Sequence, residues 1–101
     1  MSLDLTLYAS KPQDGLAAAL SEYLHGTPFA TYEDWKHTYP PGPFDRDILS
    51  DFGIDIKVTS VANFRLRKDG IEEQMMFVRT LRDSLQKTAD VALLLNGEPF
   101  S

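Results

Sequence analysis

The sequence contains no cysteine, and this absence excludes disulfide bonds, cysteine-ligated zinc sites and cysteine nucleophiles together. It fits a reducing compartment. Long apolar runs are also lacking, since no stretch approaches the roughly 18 apolar residues of a transmembrane helix. The first residues alternate in polarity and carry Asp4, whereas a signal peptide has a basic start and an unbroken apolar stretch. We therefore expect a cytoplasmic protein without a membrane partner.

Basic residues are the scarcer charged class, with 10 Lys and Arg against 15 Asp and Glu and a formal net charge of −5 at pH 7. An acidic domain repels phosphate backbones, so this balance predicts no nucleic-acid partner. The same field attracts a basic partner and speeds its encounter. Acidity that serves solubility alone is the alternative, since a moderate net charge of either sign has that effect.

Motifs for metal or cofactor chemistry are missing too. The sequence has no glycine-rich phosphate loop and no serine or threonine in a nucleophile-elbow context. Four acids cluster in the middle of the chain, but they lack the alternating spacing and the turn glycine of a calcium loop; they are Asp45, Asp47, Asp51 and Asp55. We predict no metal, no cofactor and no enzymatic activity.

The two histidines are the side chains best suited to proton transfer near neutral pH. His25 falls in the last turn of the first predicted helix, where a cation interacts favourably with the helix dipole. His37 lies near Glu33 and Asp34, which could orient it as a general base. We favour a structural role for His25 and keep a catalytic His37 open as an alternative.

Hydrophobic periodicity divides the chain, taken as a single domain over residues 1–101, into strands and helices. Alternation or a buried apolar run predicts strands at residues 3–8, 54–59, 64–67 and 91–95, and helical spacing predicts helices at residues 10–26 and 71–88. The order β-α-β-β-α-β is that of a ferredoxin-like sandwich, an α+β fold in which two helices cover one face of an antiparallel sheet.

Residues 27–53 are predicted to form an irregular, insertion-like segment, because Pro40, Pro41 and Pro43 prevent a long element from crossing their region. Short helical turns are expected at residues 32–37 and 44–52. Long irregular segments of this kind often carry function.

The same segment concentrates aromatic side chains and acids, namely Tyr32, Glu33, Asp34, Trp35, Tyr39, Phe44 and Asp45. Tyr and Trp are frequent interface hot spots, and acids between them would set the charge of a partner. The alternative is that Trp35 and Phe44 pin the segment onto the core. Asp47 and Asp51 would share one face of the second helical turn, as an acidic docking patch or as an ordinary solvated face.

The second half of the chain carries a family resemblance. The stretch Phe64-Arg65-Leu66-Arg67-Lys68, the long helix that follows and the run Asp-Val-Ala-Leu-Leu-Leu-Asn-Gly-Glu over residues 90–98 resemble the small immunity proteins of the swarming-inhibition (Sit) type. The opening Met-Ser-Leu-Asp-Leu-Thr-Leu is similar too. These proteins belong to bacterial contact-dependent toxin systems, and they continue with a further strand after the Asn-Gly-Glu turn. Here we expect the Asn96-Gly97 turn to lead only into a short tail.

The resemblance implies a non-enzymatic protein that binds and neutralises a cognate toxin, and it transfers no toxin-contacting residues. From charge and aromatic content we expect a basic toxin whose site is occluded by this protein. The predicted anchors are Tyr32, Trp35 and Tyr39, and the acids predicted to meet cationic toxin residues are Glu33, Asp34, Asp45, Asp47 and Asp51. Two alternatives stay open: a small ligand-binding or catalytic domain that uses His37, and a homo-oligomeric module that pairs through a sheet edge. The protein would be a monomer or a homodimer.

Overall fold

The computed structural model describes residues 3–32 and 35–100 of the chain. Its elements are the strand β1 (Leu3–Ala9), the helix α1 (Gln13–Leu24), a 3₁₀ turn (Pro28–Thr31), the strand β2 (Lys36–Tyr39), the helix α2 (Pro43–Asp51), the strand β3 (Ser60–Leu66), the helix α3 (Ile71–Leu85), and the strands β4 (Val91–Leu95) and β5 (Glu98–Pro99). No helix among these residues is long and apolar enough to cross a membrane.

The strands form one antiparallel sheet in the order β2-β3-β1-β4-β5. Its centre is β1, in which Leu5 stands opposite Phe64 of β3 on one side and Leu95 of β4 on the other. The first four strands therefore have the neighbour order of the ferredoxin-like sandwich. This confirms the predicted fold class, an α+β fold built on an antiparallel sheet.

The main core lies between the sheet and the helices α1 and α3. Because side chains alternate along a strand, Leu5, Leu7 and Ala9 of β1 all point to this side and are completely buried. Leucines at helical spacing meet them from α1, and an apolar stripe meets them from α3; these residues are Leu16, Leu20, Leu24, Val78, Leu81 and Leu85. We call this side of the sheet the helix face. The helices that cover this face, α1 and α3, correspond to the helices predicted at residues 10–26 and 71–88.

A second, smaller core covers part of the opposite face of the sheet. Tyr8, Val61 and Leu94 point away from α1 and α3, and they are buried by α2 and by the chain that follows it. Leu49 of α2 and Val58 are the covering residues with the least exposure, at 1% each. We call this side the α2 face. A two-helix sandwich would leave it open, so α2 turns a two-layer fold into a partly three-layered one.

The strand predicted at residues 54–59 is wrong. The segment does alternate, with Ile54, Ile56 and Val58 packed onto the second core. Its backbone is not part of the sheet, however, because it lies across the α2 face instead of beside a neighbouring strand. Burying every second side chain against an apolar surface produces the same period of two that a half-buried strand has.

The missing strand comes from residues 27–53, which are less irregular than predicted. Lys36–Tyr39 forms the edge strand β2, paired with β3, so the helical turn expected at residues 32–37 is wrong. The helical turn expected at residues 44–52 corresponds to α2. Glu33 and Asp34 lie outside the described residues.

The Asn96-Gly97 pair makes a tight hairpin turn. Its φ angles are 51° and 85°, the left-handed values that Asn and Gly accept most readily. The chain after the turn is more than a tail, because Glu98 and Pro99 form β5 and pair with Leu95 and Leu94.

Candidate functional site

The predicted partner-binding residues do not form a single surface. Tyr32 and Trp35 pack on the helix face of the sheet. Tyr39 packs on the α2 face, where the acids of α2 follow it along the chain. These acids are Asp45, Asp47 and Asp51.

Trp35 lies inside the protein and is 1% exposed. Its ring stacks on Phe29 at a centroid distance of 5.2 Å and meets Phe64 edge-on, also at 5.2 Å. A side chain with so little exposed surface cannot reach a partner unless the fold opens. The arrangement favours the alternative in which Trp35 pins the segment onto the core.

Gln74 holds Trp35 in place, a role that was not predicted from the sequence. The Gln74 side chain is 1% exposed, and its Oε1 accepts a hydrogen bond of 2.9 Å from Trp35 Nε1 and one of 2.8 Å from the Arg67 amide. Its Nε2 donates to the carbonyl oxygens of Arg67 and Asp69, at 2.9 and 3.0 Å. A buried amide with all these bonds made joins Trp35, just before β2, to the turn after β3 and to α3. The available signal was a polar residue inside the apolar stripe of a helix.

Tyr32 is half-buried, beside Phe29 and Trp35. The Arg67 guanidinium lies 4.1 Å from the centroid of its ring, within the range of a cation–π contact. This contact occupies one ring face of Tyr32 with a cation of the protein itself.

Tyr39 and Asp45 meet Tyr8 between α2 and the sheet. Tyr8 is 4% exposed and lies near the Asp45 carboxylate. Burial, and then the negative charge of Asp45, raise the pKa of Tyr8 to about 12. Burial and the same carboxylate also raise the pKa of Tyr39. Asp45 Oδ2 accepts a 2.6 Å hydrogen bond from the Gly42 amide as well. Asp45 therefore ties the start of α2 to the sheet.

The outward side of α2 is where exposed acids and exposed aromatic rings come together. Asp47, Asp51 and Asp55 are exposed. Phe44 is 79% and Phe52 is 44% exposed, and with Met76 they are the large hydrophobic residues that stand out from the described surface. Helical spacing places Phe44 on the same side as Asp47 and Asp51. We call these five residues the α2 surface.

A cavity of about 460 Å³ adjoins the α2 surface. It lies between the end of α2 and the extended segment after it, with Leu49, Ile54, Ile56 and Val58 among its lining residues. The phenylalanines, the acids and this cavity together offer apolar contact area beside acidic side chains, and Lys57 also lines the cavity.

The arrangement offers little for catalysis. His37 is exposed on β2, opposite Asn63, and it does not line the cavity beside the α2 surface. His25 is exposed just after α1. Within residues 3–32 and 35–100, no three His, Asp or Glu side chains come together as a metal site would require.

Comparison with known proteins gives one structural likeness. No family profile matches the sequence, and no curated protein sequence matches it significantly. Among solved structures, a chain of the "CdiA-CT/CdiI toxin and immunity complex from Burkholderia pseudomallei" is similar, with a TM-score of 0.72. The match covers 96% of this chain and 94% of that chain at 15% sequence identity. The two chains therefore share a fold over nearly all of both.

Proposed function

We propose that this protein is an immunity protein that binds and neutralises a cognate bacterial toxin, without chemistry of its own, in the cytoplasm of the cell that makes it. The observation that carries the proposal is the shared fold with a chain of a toxin and immunity complex, over 96% of this sequence. The resemblance of residues 64–68 and 90–98 to Sit-type immunity proteins supports the same class. The whole chain acts as one domain in this proposal.

The α2 surface is the proposed contact with the toxin. Interfaces gain most of their binding energy from a few central side chains, often aromatic ones, with charges around them that select the partner. Phe44 is the proposed central anchor, because it is 79% exposed and has no packing role in either core. Asp47 and Asp51 flank it and would meet lysine or arginine residues of the toxin.

The proposed contact residues differ from the anchors predicted from the sequence. Trp35 is replaced by Phe44, since a buried side chain cannot serve as a contact residue. Asp45 acts indirectly, by fixing the start of α2. Tyr39 packs on the second core under the α2 surface and makes no direct contact with the toxin in this proposal. Glu33 and Asp34, which lie outside the described residues, remain predicted contact acids.

The mechanism is occlusion of a basic site. A toxin that cleaves nucleic acid or binds phosphate carries lysine and arginine at its site, and an acidic surface competes for those residues. Charge attraction also speeds the encounter, and this advantage falls as salt is added.

The proposal is tested with the toxin domain that an immunity function predicts to be encoded beside the gene for this protein. Phe44→Ala should weaken binding by about 2 kcal/mol, roughly 30-fold, as the loss of a hot-spot side chain does. Asp47→Lys should slow association, with a smaller effect at high salt. Asp69→Lys makes the same charge change at an exposed site away from α2 and is the matched control. Stopped-flow kinetics measures the association rate, and calorimetry and growth protection measure affinity and function.

Equal protection by Phe44→Ala, Asp47→Lys and the unaltered protein would move the interface away from α2. Failure of the unaltered protein to bind the neighbouring toxin would overturn the immunity function itself. Light scattering of the free protein, which distinguishes a monomer from a homodimer, settles how many copies take part.

A further inference from the structure

A groove runs between α1 and α3 on the side of the molecule away from the α2 surface. The helices cross the helix face in opposite directions, because each follows one of the antiparallel strands β1 and β3. Two cavities, of about 380 and 430 Å³, lie along the seam between the helices. Tyr23 lines both of them, so the two lie next to each other and make up one line of depressions along the seam. We call it the α1–α3 groove.

The floor of the groove is aromatic at one end and aliphatic at the other. Phe29 and Phe77 lie together with a centroid distance of 4.5 Å, and Tyr23 meets Phe77 edge-on at 5.1 Å. Leu81 and Leu85, which are 1% and 6% exposed, line the other cavity together with Glu22 and Ser84. Met76 lines the aromatic end and is 68% exposed. A flexible thioether held open to solvent at the edge of an apolar floor is typical of adaptable binding surfaces.

The rim of the groove is acidic. Glu73 lines the aromatic end and Glu22 lines the aliphatic end, and both are exposed. The basic residues of the second half of α3 turn to another side: Arg82 Nη1 donates to the Phe100 carbonyl at 2.9 Å, and Arg79 lies 5.9 Å from the Phe100 ring centroid. Two glutamates therefore border the groove, while the guanidinium groups of Arg79 and Arg82 lie toward Phe100.

We propose that the α1–α3 groove binds an amphipathic helix of a partner protein, with apolar side chains on its inner side and lysine or arginine beside them. A ridge of side chains at positions i, i+4 and i+7 fits a groove between two helices. From Glu73 to Leu85, α3 rises about 18 Å, the length of about three turns of a docked helix. The acidic rim selects the basic flanks. This binding is separate from the toxin contact proposed for the α2 surface.

The probe is a labelled 14-residue helical peptide with leucine at i, i+4, i+7 and i+11 and lysine at the flanking positions. Fluorescence anisotropy with the full-length protein should show saturable binding. A peptide with glutamate in place of lysine, and a scrambled peptide of the first composition, should not bind. Amide shift changes in NMR spectra should gather at Tyr23, Met76 and Thr80.

Two variants test the assignment. Met76→Ala removes exposed apolar area and keeps a strong helix former, so the fold is retained; Glu73→Lys reverses one rim charge. Each should weaken peptide binding about fivefold. Glu72→Lys is the matched control, since it makes the same charge change one residue away, at an exposed position outside the cavity lining, and it should leave binding unchanged.

The proposal is overturned if the lysine peptide does not bind, if the glutamate peptide binds equally well, or if Glu72→Lys weakens binding as much as Glu73→Lys. It is also overturned if the free protein is a dimer that Met76→Ala dissociates, because the groove would then be occupied by a second copy. Toxin binding through the α2 surface should be the same in all three variants, so the two proposals fail separately.

Discussion

Replacing Gln74 with alanine should destabilise this protein more than any surface substitution. The buried amide makes four hydrogen bonds, to Trp35 Nε1, to the Arg67 amide and carbonyl, and to the Asp69 carbonyl. Alanine can make none of them, and it leaves a gap beside Trp35 in the main core.

The expected cost follows from how deeply each former partner is buried. Trp35 is 1% exposed, so its Nε1 would lose its hydrogen bond with little access to water, at a cost of about 2 kcal/mol. The Arg67 and Asp69 groups belong to exposed residues and can turn to water, so together they add about 1 kcal/mol. The gap adds about another 1 kcal/mol. The total of about 4 kcal/mol is a large part of a typical domain stability of about 5–15 kcal/mol.

Urea unfolding followed by tryptophan fluorescence measures this directly, because Trp35 is the single tryptophan of the chain. Gln86→Ala, at an exposed glutamine just after α3, is the control and should change stability by less than about 0.5 kcal/mol. A double-mutant cycle with Trp35→Phe, followed by circular dichroism because that variant has no tryptophan, should give a coupling of about 1 kcal/mol. A Gln74→Ala cost below about 1 kcal/mol, with unchanged Trp35 emission, would refute this reasoning.

Two further predictions concern pH and backbone conformation. Burial beside Asp45 raises the pKa of Tyr8 to about 12 in the folded protein, against about 10 in the unfolded chain. The neutral Tyr8 hydroxyl therefore contributes fully to stability below pH 10, and this contribution is lost between pH 10 and 12. The fall in unfolding free energy over this range should be shallower in Tyr8→Phe, and identical curves would contradict the assignment. Gly97→Ala should cost about 1 kcal/mol, because Gly97 has a φ of 85°. Gly15→Ala, inside α1 with only ordinary contacts at 3.5 Å to Lys11, should instead stabilise by up to about 1 kcal/mol, and equal melting temperatures would refute both.

The ferredoxin-like order was predictable because four elements have strong, simple patterns. The strand β4 is an unbroken apolar run whose side chains enter both cores, and β1, α1 and α3 each bury a periodic set of apolar side chains in the main core. Their periods of 2 and 3.6 residues survive in the sequence because nothing else competes for those positions.

The strand β2 could not be found in this way. Its residues are Lys-His-Thr-Tyr, at the edge of the sheet and all half-buried or exposed. Most of its stabilisation is backbone pairing with β3, which leaves no apolar period. The segment at residues 54–59 gave a wrong prediction for the opposite reason. Its apolar residues alternate as they do in a strand, but it packs on the sheet without joining it.

The candidate site was predictable in composition but not in placement. Aromatic residues and acids do gather between residues 32 and 55, yet Trp35 is buried and Phe44 is exposed. Which aromatic residue turns inward depends on Gln74, which is 39 positions away along the chain from Trp35, and on the way α2 lies across the sheet. Both are long-range features, and a local pattern does not contain them.

The most direct test of the proposed function is a calorimetric titration of the purified protein with the toxin domain encoded next to its gene, with toxin activity measured in the same samples. We predict saturable binding at a fixed ratio of protein to toxin, with toxin activity lost at the same ratio and both effects weakened by Phe44→Ala. No heat of binding and full toxin activity in the presence of excess protein would contradict it.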